Sequence, residues 1–312
     1  MGYVVLTACT NRKRVSPEPG MQARAMAPAA LAAVAESWLA RVRTASCEVQ
    51  AGSLYAGRGF VEARTVAANG NLYIVSAGLG VVAASLEVPA YDLTIAPGAT
   101  DNVLALVTDT ASPSDWWEAG PARSPFATRL QDLAALHPGE LILAALPGTY
   151  LLMVADDLSR LADRVEGRLR LFCAAPPSGL PGQLGAALMP YDSRLDGPDS
   201  PLPGTIADFA QRAMRHFVEV VVPGAPAGSD AATHRAGVER ALTGLRSPAS
   251  IHRARATDAE ILELIARHWG RADGRSTRML RLIRDELGRA CEQGRFVRLF
   301  QEAAAQRAVS LQ

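Results

Sequence analysis

Four short apolar runs dominate the first 175 residues, at positions 3–8 (Tyr-Val-Val-Leu-Thr-Ala), 72–76, 140–146 and 169–173. Runs of this length, bounded by Gly, Pro and polar residues, read as buried strands. Between them lie segments with helical character. Residues 27–43 are alanine-rich, with Trp38 and Leu39 as the bulkiest apolar side chains and Pro28 tolerable in the first turn. Residues 54–68 follow Ser53 as an N-cap. Further helices are predicted at 126–136, at 150–161 after the Pro147-Gly148-Thr149 turn, and at 205–220 after Thr205. Asn69-Gly70-Asn71 is a turn signal. Strands alternating with helices predict an α/β fold: a three-layer, mostly parallel sheet flanked by helices on both faces. In such folds the loops at strand ends carry function.

The 312 residues suit two domains better than one. Residues 222–230 are rich in Pro, Gly, Ala and Ser and read as a linker between an α/β domain, 1–221, and a C-terminal segment, 231–312. That segment reads as all-helical, with helices at 258–269 (capped by Thr257) and 276–287. Gly288 separates these from a third helix containing Phe296, Leu299 and Phe300. It holds 15 Arg against 9 Asp and Glu, a balance of +6, while the rest of the chain carries −5. Helix, short turn and arginine-rich helix resembles a helix-turn-helix or winged-helix unit, so nucleic-acid contact through Arg275, Arg278 and Arg281 is predicted. The plainer alternative is a helical appendage that packs on the main domain or makes a dimer. Only one basic residue is a lysine, Lys13. So strong an arginine bias weakens arginine alone as a sign of phosphate binding.

Several function classes are excluded. No apolar run approaches the roughly 20 residues of a membrane helix, so no membrane partner is expected. The N-terminus enters its first strand without a basic region and cleavable apolar core, which predicts no signal peptide. Cys9, Cys47, Cys173 and Cys291 are scattered without a C-x-x-C pair, and the five histidines are dispersed. This predicts neither a zinc site nor a disulfide framework, and a reducing cytoplasm.

Four polar clusters stand at predicted strand ends. In Cys9-Thr10-Asn11, a hydroxyl and an amide can bond a ligand from the lip of the sheet, or simply serve turn and cap chemistry. Cys9 lacks the nearby histidine a nucleophile needs. In the segment from Leu54 to Phe60, Tyr55 can stack on a nucleobase and Arg58 can hold a phosphate; alternatively Tyr55 and Phe60 are core and Arg58 a surface cation. In Ser76-Ala77-Gly78-Leu79-Gly80, small residues allow close backbone approach to a flat ligand, or just a tight turn. It is neither a P-loop nor a dinucleotide fingerprint. Val88-Pro89-Ala90-Tyr91-Asp92 has a later echo in Met189-Pro190-Tyr191-Asp192. Asp92, with Asp192 as second choice, can orient water or stabilise a cationic sugar; a capping carboxylate, or one paired with Arg194, is the structural alternative. Asp156-Asp157 reads as helix-surface charge. Trp116-Trp117 reads either as a base-stacking wedge or as a loop anchor.

Together these clusters resemble an uncharacterised bacterial domain family found around phage-defence and deazaguanine-modification loci. Its pattern is strand-Cys-Ser/Thr-x-x-Lys, Leu-Tyr-x-x-x-x-Phe, Ser-Ala-x-x-Gly-Leu and Pro-Tyr-Asp. The matching segments are Cys9 to Lys13, Leu54-Tyr55 to Phe60, Ser76 to Gly80, and Pro89 to Asp92. The third has Gly-Leu one place early, and the last carries one inserted alanine. The resemblance spans roughly residues 3–95. That family looks similar to the uracil-DNA-glycosylase-like fold and to the related domain of archaeosine-type enzymes. The Gly-x-Asp-Pro-Tyr and His-Pro-Ser loops of glycosylases are absent here.

The resemblance implies a nucleobase pocket at the strand ends and a DNA glycosylase acting on a flipped, modified base in anti-phage defence. In that scheme Asp92 is catalytic, and Thr10 and Asn11 bind the departing base. Cys9, Tyr55, Ser76, Gly78 and Tyr91 form the base pocket, and Arg58 with the C-terminal arginines grips phosphate. No metal or cofactor is required. Two rivals are an enzyme acting on a free nucleotide by glycosidic cleavage or base exchange, and a non-enzymatic DNA-binding regulator that senses a small ligand.

Overall fold

The computed structural model describes residues 2–69, 71–249 and 253–310; Gly70 of the expected turn lies outside them. Its centre is a five-stranded sheet of β1 (Tyr3–Ala8), β2 (Asn71–Ser76), β3 (Gly80–Ala83), β4 (Leu141–Ala145) and β5 (Leu169–Phe172), in the order β3-β2-β1-β4-β5. Strands β2, β1, β4 and β5 are mutually parallel, and only the edge strand β3 is antiparallel. The four expected strands are therefore present. β3 is an addition: Ser76 to Gly80 forms a hairpin turn, with Gly80 at φ +83°, rather than an open strand-end loop.

Alternate residues of the central strands feed two cores, which explains their continuous apolar character. Val4, Leu6 and Ala8 of β1 and Ile142 and Ala144 of β4 share one cluster. Helices α1 (Leu31–Thr44), α3 (Pro113–Ala119) and α4 (Ala155–Arg164) cover it with Trp38, Trp116, Trp117, Leu158 and Leu161. Val5, Leu143 and Ala145 point the other way, under α5 (Phe209–His216) and α6 (Ala231–Leu242). Deleting a fully buried side chain here, as in Leu6→Ala, costs about 2–5 kcal/mol.

Three expected helices are cut by particular contacts. The 54–68 helix breaks after Leu54, and α2 (Arg58–Val66) begins only past Gly57, whose φ of +110° suits glycine alone. The break lets residues 54–56 bond residues 12–14: Ala56 N donates to Arg12 O and Arg14 N to Leu54 O, each at 2.9 Å. The 126–136 segment starts its helical turns only at Leu130, because Thr128 N is committed to Val81 O beside the edge strand. The 150–161 helix is two helices, Gly148–Met153 and α4. Trp116 and Trp117 lie on α3, buried and anchored. Trp116 Nε1 donates to Ala77 O and Trp117 Nε1 to Asp157.

The chain divides into two compact units at Met1–Pro248 and Ala249–Gln312, not at 222–230. Helix α6 belongs to the first unit because Val238 and Leu242 are buried in its second core. The second unit carries α7 (Asp258–His268), α8 (Ser276–Arg281) and α9 (Gln293–Ser310) around Ile261, Ile265, Met279, Ile283 and Phe296. It is not all-helical: Ala254–Arg255 pairs in parallel with Arg289–Ala290. Among the described residues no helix is long and apolar enough to cross a membrane.

Candidate functional site

Chain order reverses direction across the sheet between β1 and β4: from β1 the chain crosses to β2 on one side, and later returns to β4 on the other. At such a switch point the loops leaving two adjacent parallel strands diverge and open a crevice at their carboxyl ends. Here that crevice has a volume of about 420 Å³. One wall is the loop after β1, from Ala8 to Arg12. The crevice is also lined by Pro147, after β4, by Thr205 and Asp208 of the turn leading into α5, and by Gln211 of α5. Residues 56–60, at the start of α2, close the side.

Gln211 is one of the buried polar residues of α5 and is 6% exposed. Its Nε2 donates to Thr7 Oγ1 and to the Ala145 carbonyl, both at 3.2 Å. Because a carbonyl only accepts, the nitrogen must face it, and the amide orientation is fixed. The Gln211 Oε1 is left beside Gly59, where an added Cβ would meet it at 3.0 Å. Among the described residues no donor reaches this oxygen, so a hydrogen-bond acceptor stands in the crevice wall. Arg58 supplies a cation there: its side chain is 63% exposed, lies 3.1 Å from Asp208 and donates to Pro203 O. Asp208 is buried and also takes Arg212 Nε at 2.7 Å. Burial alone would raise its pKa, but the Thr205 amide, Arg212 and Arg58 outweigh burial and hold it below the ordinary value. It is thus a fixed anion that orients arginines.

A second, smaller hollow of about 200 Å³ lies across the 9–13 loop. Asn11 borders both cavities. Lys13 and Asp92 line the hollow, with Nζ 3.6 Å from Oδ1 and 4.5 Å from the centre of the Tyr91 ring. The Lys13 side chain is 5% exposed and that of Asp92 29%. Main-chain bonds pin Asp92: its N donates to Met21 O, and its O accepts from Ala23 N.

The four sequence clusters do converge, though not all on open space. Cys9 borders the crevice and lies 3.0 Å from the Tyr150 hydroxyl. The Thr10 hydroxyl lies 2.8 Å from Ala56 O and 2.9 Å from Arg12 O, so it fastens the β1 loop to residues 54–57. Tyr55, Ser76 and Tyr91 are fully buried and bonded to one another: Tyr91 OH is 3.0 Å from Tyr55 OH and 2.7 Å from Ser76 Oγ. Burial pushes the Tyr55, Tyr91 and Tyr150 phenols well above the ordinary tyrosine range, so they act as neutral hydroxyls. None of Tyr55, Ser76, Gly78 and Tyr91 borders either cavity. Gly78 is small to admit the Tyr91 ring, since an added Cβ would lie 2.7 Å from it. These four residues form the wall behind Lys13 and Asp92 rather than a stacking platform.

Asp192 stands elsewhere. It accepts from Arg194 N, caps the short turn Ser193–Asp196, and pairs with the Arg194 guanidinium, which lowers its pKa. That is the capping and pairing alternative.

Arg275, Arg278 and Arg281 are exposed in the second unit. Arg278 pairs with Asp273, while Arg275 and Arg281 have no side-chain partner among the described residues. Much of the remaining positive charge there is internally matched: Arg253 to Asp285, Arg271 to Glu286, and Arg295 and Arg298 to Asp258.

Gln211, Pro147 and Thr205 were not legible as site residues. Pro147 had a signal, as the first turn residue after a strand; Gln211, one of several polar residues in its helix, had none. Compared with models of known protein families, with curated proteins and with solved structures, the chain matches none.

Proposed function

We propose that the 1–248 unit is an N-glycosidase: it binds a nucleotide at the ends of β1 and β4 and hydrolyses the bond between base and sugar. The observation that carries this reading is that Asn11 borders both the switch-point crevice and the hollow holding Lys13 and Asp92. One ligand straddling Asn11 would meet two chemistries. The crevice offers an acceptor in Gln211, a cation in Arg58 and the amides at the start of α2. Those groups suit a base edge and a phosphate. The hollow offers a carboxylate, which suits the cationic sugar of an oxocarbenium-like transition state. Asn11 donates to the departing base, and Thr10 holds the loop that presents Asn11.

The uracil-DNA-glycosylase-like family reading makes the substrate a flipped, modified base of phage DNA, extruded at a cost of a few kcal/mol. Arg275 and Arg281 would then contact the phosphate backbone from a winged-helix-like second unit. The matched ion pairs of that unit favour the rival in which the substrate is a free nucleotide. Both readings are tested by one experiment. The protein is incubated with ordinary DNA, modified phage DNA, tRNA and free nucleotides, and released bases are identified by mass spectrometry. Release from polymer alone, with alkali-labile sites, supports the DNA glycosylase. Release from nucleotides alone supports the rival. No release from any substrate overturns the N-glycosidase.

A further inference from the structure

The chain holds a single lysine among 32 basic side chains. Every other cationic side chain is arginine, including the buried, ion-paired Arg212 and the exposed cations of the second unit. Among these 32, the amine at position 13 is therefore the one able to give up a proton and form a carbon–nitrogen bond; a guanidinium does neither in a protein.

The position suits that chemistry. The β1 loop turns at Thr10, and the bridge between Lys13 and Tyr55 fixes the backbone. The stem is enclosed, yet Nζ makes no hydrogen bond among the described residues. Its neighbours are the face of Tyr91 and, at 3.6 Å, the Asp92 carboxylate. The pair is longer than the buried Arg212–Asp208 pair, at 2.7 Å, so the ammonium keeps its donors uncommitted. The hollow beyond is lined by carboxylate, amide and threonine hydroxyl groups, which match sugar hydroxyls rather than a second anion.

We propose that Lys13 is a catalytic amine that attacks the C1′ carbon of the pentose, with Asp92 as its proton acceptor. This rests on the N-glycosidase reading. Asp92 takes a proton from the Lys13 ammonium. The freed Nζ forms a bond to C1′ as the bond from C1′ to the base breaks, and the base leaves with that electron pair and takes the proton from Asp92. Asp92 then accepts a second proton from Nζ and passes it to O4′ as the C1′–O4′ bond opens. The product is an imine between Lys13 and C1′. Water hydrolyses it, returning the amine and leaving an open-chain sugar aldehyde. No oxidant or reductant is consumed.

The test uses the full-length protein with 2-deoxyribose 5-phosphate, whose open-chain form presents the C1′ aldehyde, and sodium borohydride to reduce any imine. Peptide mapping should place one reduced adduct on Lys13. Asp92→Asn should slow its formation by at least about 100-fold, the size of an acid–base contribution. An adduct confined to the N-terminal amine, or formed on Lys13 no faster than in urea-unfolded protein, overturns the proposal. So does base release by folded Lys13→Arg at the wild-type rate, which leaves the N-glycosidase reading standing. Trapping on Lys13 with no base release from any nucleotide or polymer does the reverse: the reactive amine stands, and the N-glycosidase reading falls. Trapping uses the unaltered chain, so it does not depend on whether a variant folds.

Discussion

Gln211 Nε2 lies 3.2 Å from Thr7 Oγ1, bridging helix α5 and the penultimate residue of β1. The same nitrogen reaches Ala145 O at the end of β4. One carboxamide thus ties together the two strand ends that frame the crevice, which Gln211 also lines. Gln211→Glu would set an acceptor against the Ala145 carbonyl and leave a buried group unpaired, costing about 1–3 kcal/mol. Urea unfolding should show the loss, and calorimetry should show weakened nucleotide binding. Unchanged affinity in a folded variant would remove Gln211 from the site.

Gly78 should tolerate no side chain. A Cβ there would lie 2.7 Å from Tyr91 and 3.2 Å from Trp38, both buried rings. Gly78→Ala should destabilise the protein by about 1–3 kcal/mol, the usual cost of overpacking. The displaced Tyr91 would also disturb Lys13, whose amine sits over its ring. Denaturant midpoints and borohydride trapping should fall together.

Arg212 holds the 193–208 region shut. It bonds Asp208, Asp196, Leu202 O and Thr205 O from a buried position. Arg212→Leu leaves Asp208 only Arg58 and the Thr205 amide and strips the Leu202 and Thr205 carbonyls of a donor, and should cost about 1–3 kcal/mol. Arg246→Ala, which breaks an exposed pair with Asp199, should shift thermal unfolding little. Equal shifts would contradict the burial argument.

Acid should weaken the fold through His234. Burial, then the neighbouring Arg170, pull its pKa down from 6.5 to about 4. The unfolded chain binds this proton more readily, so the stabilisation is complete above pH 6.5 and is lost as pH falls towards 4. His234→Gln should flatten that part of the stability profile; an unchanged slope would assign it to other groups.

A chain ending at residue 248 should fold, and one ending at 230 should not. The shorter one lacks α6 and uncovers the surface that Val238 and Leu242 bury. If Arg275 and Arg281 touch phosphate, ending at 248 should also flatten the salt dependence of DNA binding. An identical salt slope would contradict that contact.

The four parallel strands were readable because a buried strand is a continuous apolar run bounded by turn residues; Tyr150–Ala155 and Val103–Val107 are apolar runs too, but they form helical turns. Breaks within helices were not readable. Gly57 and Thr128 are set by pairings with residues 12–14 and Val81, far along the chain. Cys9, Thr10, Asn11 and Asp92, singled out from predicted strand ends, line cavities. Tyr55 and Tyr91 read as pocket residues because an aromatic ring carries no local mark of whether its face is open; their mutual hydrogen bond decides it. The boundary moved from 222–230 to 248 because a linker-like composition does not reveal that the helix after it returns to the same core.

The most direct measurement is single-turnover base release by wild type and by Asp92→Asn, using whichever nucleotide or polymer the wild type cleaves. Asp92→Asn should release base at least about 100-fold more slowly, with substrate affinity nearly unchanged because the crevice is intact. Release by Asp92→Asn at the wild-type rate would contradict it, placing the chemistry outside the hollow that Asn11 shares with the crevice.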